Sequence, residues 1–385
     1  MSDPRSRKSE DQFLSIGAKL YRVYWLVILV LCLIAGIGVI SLYSVANGSL
    51  SPWGETQIVR FLFGLGLVLL IAVMPRGFWL AVAYPAYFVA LAGLAITLFI
   101  GTEAGGAKRW VSLGGLTFQP SEFMKVALIL ALARYYQWLP ERLVSHPLSL
   151  IVPALMIGCP LALTVFQPDL GTAVLFAFVG LTLVFLAGVH IFYFIGGAAG
   201  FFALLPILWD QLHDYQRKRI ETYLNPDSDP LGAGYHIAQS KIALGSGGVS
   251  GKGFMQGTQG QLNFLPEKHT DFIFTNFAEE WGFIGAVVLL GLFVLLIFLL
   301  LVMALRCVSK FAQLIIAGSA IMIFVYVFIN IAMVTGLMPV VGVPLPLVSY
   351  GGTSMLTVMF AIGLAMCAYV HRSYLFLQGE LRAFW

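Results

Sequence analysis

The residues of this sequence that could do chemistry are few, and most are charged groups set beside apolar runs. Asp271 comes first: it lies in Pro266-Glu267-Lys268-His269-Thr270-Asp271-Phe272-Ile273-Phe274, where a long polar segment gives way to an apolar one. Charge inside or beside a bilayer is rare and usually functional. A carboxylate at such a boundary is a candidate general base. Its apolar flank, Phe272, Ile273 and Phe274, is expected to raise its pKa and make it a better proton acceptor near neutrality. His269 stands close by, but no GxSxG elbow or zinc-type His spacing accompanies it, so it reads as structural. Glu279 and Glu280 read as supporting or helix-start charges.

The second group is basic. Lys125 falls one turn inside an otherwise apolar helix pattern and shares a face with Glu122, three residues before it. An unpaired ammonium there costs about 2.5–3.5 kcal/mol. Either Glu122 neutralises it, or the ammonium faces a polar cavity that takes an anionic group; its depth in the apolar run favours the second. Lys108-Arg109-Trp110 precedes that helix. Alone it reads as an interfacial anchor, but beside Lys125 it could complete a phosphate-binding edge, since Arg grips phosphate through paired N–H donors. Phe118-Gln119-Pro120-Ser121-Glu122 and Phe166-Gln167-Pro168-Asp169-Leu170 share an opening. Pro suits a first helical turn and an acid suits the positive end of a helix, so Asp169 is either a helix-start charge or a site residue.

The elements that position these groups are membrane helices. The chain has 385 residues, 59% of them hydrophobic and 10% charged, with a mean hydropathy of +0.91; a soluble domain carries about 25% charged residues. A net charge of +4 does not suggest nucleic acid. Cys32, Cys159, Cys307 and Cys367 lie in or beside apolar runs without CxxC spacing and read as packing residues. The pattern predicts an all-α polytopic membrane protein, a single integral membrane domain of about ten spans near 23–45, 57–74, 78–100, 121–138, 148–166, 172–187, 190–208, 275–304, 312–336 and 353–376. The first run is too long for a signal peptide and lacks a small-residue cleavage site, so residues 1–22 are expected to be a tail before a retained helix.

Orientation follows from Lys and Arg in the short loops. Arg5, Arg7, Lys8, Lys19 and Arg22 share a side with Arg76, Arg134, Arg142, Arg306, Lys310, Arg372 and Arg382, and the opposite short loops hold only Lys108 and Arg109. Both termini are therefore expected in the cytoplasm. Residues 101–122, 167–171 and a long loop over 209–274 fall outside; such a loop tends to be functional or to hold structure of its own. Two amphipathic stretches are expected in it, Tyr215–Leu224 and Tyr235–Leu244. The Gly-rich run 245–260 is not a P-loop, because Ser246 and Gly253 stand where that pattern needs Gly and Ser or Thr; it reads as a flexible hinge or lid. Residues 336–352, rich in Pro and Gly, cannot span regularly and are expected to wall a groove.

Together these segments resemble the SEDS family (shape, elongation, division and sporulation proteins) of bacterial membrane proteins. The resemblance rests on Gly106-Ala107-Lys108-Arg109-Trp110, Gln119 to Lys125, Gln167 to Gly171, Pro266 to Phe274 and Pro344-Leu345-Pro346-Leu347-Val348-Ser349-Tyr350-Gly351-Gly352. It covers nearly the whole chain after the first twenty or so residues. Asp229 to His236 and Gly257 to Leu262 point to its elongation branch rather than its division branch. Trp281 stands where the family more often has Leu.

The resemblance implies a peptidoglycan glycosyltransferase of the bacterial cytoplasmic membrane. Such an enzyme polymerises lipid II into β-1,4 glycan strands during elongation and releases undecaprenyl diphosphate at the outer face. It places the essential aspartate at Asp271 and activity-linked positions at Trp110, Glu122, Lys125 and Asp169. Lys108, Arg109, Ser349 and Tyr350 complete the expected substrate-binding set. An α-linked donor and a β-linked product need one in-line displacement and no enzyme nucleophile. A departing diphosphate calls for cations, here Arg109, Lys125 and a divalent ion, Mg²⁺ or Mn²⁺, with Asp169, Glu122 and Asp271 as candidate ligands. A class B penicillin-binding protein, a transpeptidase, is the expected partner. The rival readings are a lipid II flippase, to which intramembrane charges and broken helices also belong, and a non-catalytic scaffold.

Overall fold

The computed structural model describes residues 15–104, 107–113, 116–211, 217, 221–223, 233–262 and 267–373. After a short helix α1 (Ile16–Tyr21), ten longer helices run back and forth: α2 (Trp25–Val45), α3 (Trp53–Val73), α4 (Arg76–Ile100), α5 (Pro120–Trp138), α6 (Pro147–Phe166), α7 (Leu170–Leu186), α8 (Ile191–Gln211), then, after α9 (Ala233–Ser246) and α10 (Thr258–Gln261), α11 (Ile273–Leu305), α12 (Lys310–Val334) and α13 (Gly352–Val370). Seven of them, α2, α3, α4, α6, α11, α12 and α13, are long and apolar enough to cross a membrane. The chain is a multi-pass membrane protein, and the ten long helices among the described residues fall on the ten stretches that hydropathy marks.

Two of the remaining three, α7 and α8, carry shorter apolar stretches. The third, α5, holds Glu122, Lys125 and Arg134, and all three are buried. It packs against α4, α7 and α12. A helix with this much charge is stable in a bilayer only when its neighbours shield it. Large apolar side chains such as Phe63, Phe88, Phe99 and Phe298 instead point outward from other helices, as lipid-facing surfaces require.

One end of the bundle carries the polar connections, here called the cavity end. Between α4 and α5 the chain is not irregular as the all-α reading implies. Strands β1 (Thr102–Ala104), β2 (Ala107–Leu113) and β3 (Leu116–Phe118) form a small antiparallel sheet in the order β1-β2-β3. The pairing of Thr102 with Trp110 and of Val111 with Phe118 fixes the register of Arg109 and Trp110. The expected helix at Tyr235–Leu244 is present within α9, whereas most of Tyr215–Leu224 and the 1–14 part of the tail lie outside the described residues.

The Gly-rich run is not a loose lid. Helix α11 is broken at Gly282, whose φ is 66°, and a break of this kind leaves backbone groups without helical partners. The run supplies them: Lys252 and Gly253 N–H donate to the Glu279 and Glu280 carbonyls at 3.0 Å, and the Gly248 and Val249 carbonyls accept from Phe283 and Ile284. A Cβ on Gly251 would sit 2.1 Å from the Glu280 carbonyl oxygen, so only glycine permits this approach. Glu279 is fully buried beneath it and accepts from Lys252 Nζ at 2.6 Å and from the Thr258 N–H and hydroxyl, both at 3.0 Å. Glu280 accepts from Ser44 Oγ. The two acids therefore anchor the clamp, as the supporting role expected of them requires.

Candidate active site

At the cavity end, six separate stretches of the described chain close around a cavity of about 440 Å³, lined by Arg109, Trp110, Glu122, Lys125, Asp169 and Asp271 among others. On its floor, α5 and α12 build a closed polar triad. Lys125 Nζ donates to Glu122 Oε1 and to Tyr326 Oη, each at 2.6 Å, and Tyr326 Oη donates to Glu122 Oε2 at 2.5 Å. Lys125 and Glu122 are 2% and 4% exposed, so both charges are taken out of water and survive because each is paired and hydrogen-bonded. Glu122 does neutralise Lys125, and the ammonium also lines the cavity with one N–H beyond the two already engaged.

A second wall comes from the sheet and the start of α7. Asp169 is the N-cap of α7 and accepts from the Thr172 N–H at 3.3 Å and the Thr172 hydroxyl at 2.8 Å. Its Oδ2 lies 3.8 Å from Arg109 Nε, while Arg109 Nη2 donates to the Pro168 carbonyl at 2.7 Å. Asp169 is thus a helix cap and a cavity residue at once. The shared Phe-Gln-Pro opening divides here: Pro120 does begin α5, but Pro168 precedes the cap of α7 instead of occupying its first turn. Lys108 is in β2, with its side chain outside the described residues.

The third wall is the irregular segment 336–352, which does line the cavity through residues 340–344, 350 and 351. Side chains tie it to the Asp271 stretch. Asn330 Nδ2 donates to the Asp271 and Val343 carbonyls at 3.0 and 2.8 Å, and Gln57 Nε2 donates to the Leu347 and Ser349 carbonyls. Gly342, at φ 73°, is close enough that a Cβ would meet Asp271 Oδ2 at 3.4 Å. Phe272, Ile273 and Phe274 are buried behind the carboxylate, so its apolar flank is real.

Ser349 is a correction to the substrate-binding set. It is buried, its Oγ donates to the Thr270 carbonyl at 2.6 Å and accepts from the Leu345 N–H, and it is absent from the cavity wall. It positions the Asp271 stretch and has no hydroxyl left for a ligand. Tyr350 does reach the cavity, and its N–H donates to the His269 carbonyl at 2.9 Å. His269 stacks on Trp53 with ring centres 4.5 Å apart. Burial lowers its pKa, against the smaller raising effect of Glu267, so it remains a neutral packing residue at neutral pH.

The donor set bears on a metal. Glu122 has both oxygens engaged in the triad and Asp169 has both engaged by Thr172, while no three His, Cys, Asp or Glu converge among the described residues. The protein side fits a hard cation that takes most of its oxygens from a phosphate ligand, the usual habit of Mg²⁺. It does not fit a cage built from side chains.

The model of the FtsW, RodA and SpoVE cell-cycle protein family matches residues 21–374. The chain belongs to this family. Peptidoglycan glycosyltransferase MrdB of Escherichia coli strain K12 is 45% identical over 325 residues, 83% of this chain and 86% of that protein. Stage V sporulation protein E of Bacillus subtilis strain 168 is 33% identical, covering 89% and 95%. Among solved structures, one titled for the coordination of polymerization and crosslinking by a peptidoglycan synthase complex superposes with a TM-score of 0.80 at 33% identity, covering 91% of this chain and 98% of that one. The Thermus thermophilus rod shape determining protein RodA superposes at 0.69 with 31% identity, covering 91% and 97%.

Tyr326 and His236 are among the cavity residues that the sequence did not mark as site residues. Tyr326 sits in an apolar helix where it reads as core, but Asn330 follows it by four residues, and a polar pair on one helix face was the available signal. His236 lines the cavity from α9, and no local pattern marks it apart from its neighbours.

Proposed function

We propose that the chain is a peptidoglycan glycosyltransferase that polymerises lipid II, with Asp271 as the general base. The observation that carries this reading is the convergence of Asp271 with Arg109, Lys125, Glu122 and Asp169 on one cavity, although they come from three distant stretches of chain. The sugar hydroxyl of the acceptor attacks C1 of the donor. The C1–O bond to the diphosphate breaks as the new C1–O bond forms, and the hydroxyl proton passes to Asp271. Arg109 and Lys125 stabilise the charge that develops on the departing undecaprenyl diphosphate. The Glu122–Tyr326 pair holds the Lys125 ammonium in place, since a group fixed in advance pays no reorganisation cost during reaction. Inversion in one step needs no nucleophile from the protein.

A divalent cation, Mg²⁺ or Mn²⁺, would be held by Asp271 together with diphosphate oxygens, and would supply further charge neutralisation. Both termini lie in the cytoplasm on this reading, and the cavity end faces outward, where a lipid-linked substrate is met. The product strand is passed to a class B penicillin-binding protein. The deciding experiment uses purified protein and detergent-solubilised lipid II, with glycan length read on a gel. Polymer from wild type and none from D271N supports the assignment, whereas polymer of wild-type length from D271N overturns it. A flippase needs no polymer at all.

A further inference from the structure

Arg60 is a cation to which the mechanism above gives no task. It lies in α3, seven residues in from Trp53, about 10 Å along the helix at 1.5 Å per residue. An arginine at that depth is costly unless something meets it. Of the carboxylates on the cavity wall, Glu122 is engaged by Lys125 and Tyr326, Asp169 by Thr172 and Arg109, and Glu267 by Thr270, and no ion pair joins any of the four, Asp271 included, to Arg60.

What Arg60 does touch is the cavity wall. Its Cζ lies 4.8 Å from the centre of the Tyr350 ring, and a Cβ on Gly352 would come within 2.9 Å of the same carbon. Tyr350, Gly351, Thr353 and Ser354 all line the cavity. A ring face attracts a guanidinium without using its N–H groups, and no hydrogen bond joins those groups to another described residue. Tyr350, Gly351, Thr353 and Ser354 themselves carry no charge, although Glu267 and Asp271 line the same cavity. This edge also holds the start of α13, which has no side-chain cap, so the partial positive charge of a helix terminus lies on the same side. The guanidinium and the helix terminus are two positive groups that meet beside Tyr350, next to the cavity lining and not in it.

We infer that Arg60 is a second phosphate-binding position, on the α3–α13 side of the cavity, opposite in role to Arg109 and Lys125. This rests on the glycosyltransferase reading, because that reaction brings two polyprenyl-linked sugars to one site. Each carries a diphosphate, and Lys125 with Arg109 can hold only the one that departs. Arg60 holds the phosphate of the other, near the membrane surface, and its planar fork suits phosphate oxygens.

The test is direct binding of undecaprenyl diphosphate to the full chain in phosphate-free dodecyl maltoside, followed by calorimetry. Wild type, R60Q, R60K and K125A are compared, and unfolding without ligand checks that each variant folds. R60Q is expected to weaken one class of binding about tenfold, the loss of one charge-assisted contact. R60K should restore part of it, and K125A should weaken a different class. Equal binding by wild type and R60Q overturns the proposal, as does wild type that binds no diphosphate. An effect of R60Q seen only in phosphatidylglycerol bilayers assigns Arg60 to bulk lipid headgroups and also overturns it. If wild type binds but makes no polymer while R60Q still binds more weakly, the glycosyltransferase reading fails and the phosphate position stands.

Discussion

Two buried cations on α5, about two and a half turns apart, meet opposite fates. At the end of the bundle away from the cavity, Arg134 Nη1 donates to the Leu80 and Ala81 carbonyls at 2.8 and 3.1 Å, and its Cζ lies 4.4 Å from the Tyr84 ring centre. Its charge is spent on the first turns of α4 and on an aromatic face, which joins two helices. Lys125 is as well buried, but its partners are an acid and a phenol that hold it against an open cavity. Charge inside a membrane bundle is therefore no site by itself. The distinguishing feature is whether the donors are consumed by backbone carbonyls or held facing space.

This contrast can be broken from either side. The largest effect is expected at the acid that shares the cavity with Lys125: D271N should lower polymerisation at least about a thousandfold, in the range of a lost general base, with thermal unfolding unchanged. K125A comes next, with a loss of about a hundredfold in kcat/KM in the lipid II assay, as for a removed charge-stabilising donor; unchanged kinetics would reduce Lys125 to the partner of Glu122. R134M inverts the pattern. It should leave kcat per folded molecule intact and cost roughly 2–4 kcal/mol of stability, because two buried carbonyls lose their donor, visible as a lower Tm. A loss of kcat at full stability would erase the distinction between the two cations.

Two smaller effects sharpen it. Y326F keeps the ring and removes the hydroxyl that bonds both Glu122 and Lys125, and should cost about tenfold in kcat with a displaced pH–rate profile, by the loss of hydrogen bonds to charged groups. A variant that loses stability but keeps its pH profile would make Tyr326 only structural. His269 is the smallest. Burial lowers its folded pKa below the unfolded value of 6.5, so the unfolded chain binds its proton first. Stability is full above that value and declines as pH falls below it. H269Q should flatten this decline, measured as Tm against pH between about 7 and 5.

The spans, the irregular wall and the acid at Asp271 were legible because each is a local signal. Twenty apolar residues, a Pro- and Gly-rich interruption and a charge at an apolar boundary need no partner to be seen. The Gly-rich run was misread as a lid for the complementary reason. Glycine reports only that a Cβ is not tolerated; whether that serves motion or close docking depends on Gly282 and Glu280, some thirty residues away in the chain. Ser349 failed in the same manner, since its hydroxyl is taken by Thr270 and Leu345, contacts invisible along the chain.

The amino-acid sequence by itself determined a bundle of about ten membrane helices and the chemical types available at one end of it. Hydropathy is additive along a segment, so a span is specified residue by residue. The tertiary structure decided which of those groups share a cavity, that Tyr326 completes the Lys125–Glu122 pair, and that Asp169 both caps a helix and lines the cavity. Those outcomes depend on how separate helices pack, and a hydrogen bond between residues two hundred positions apart is fixed by packing geometry.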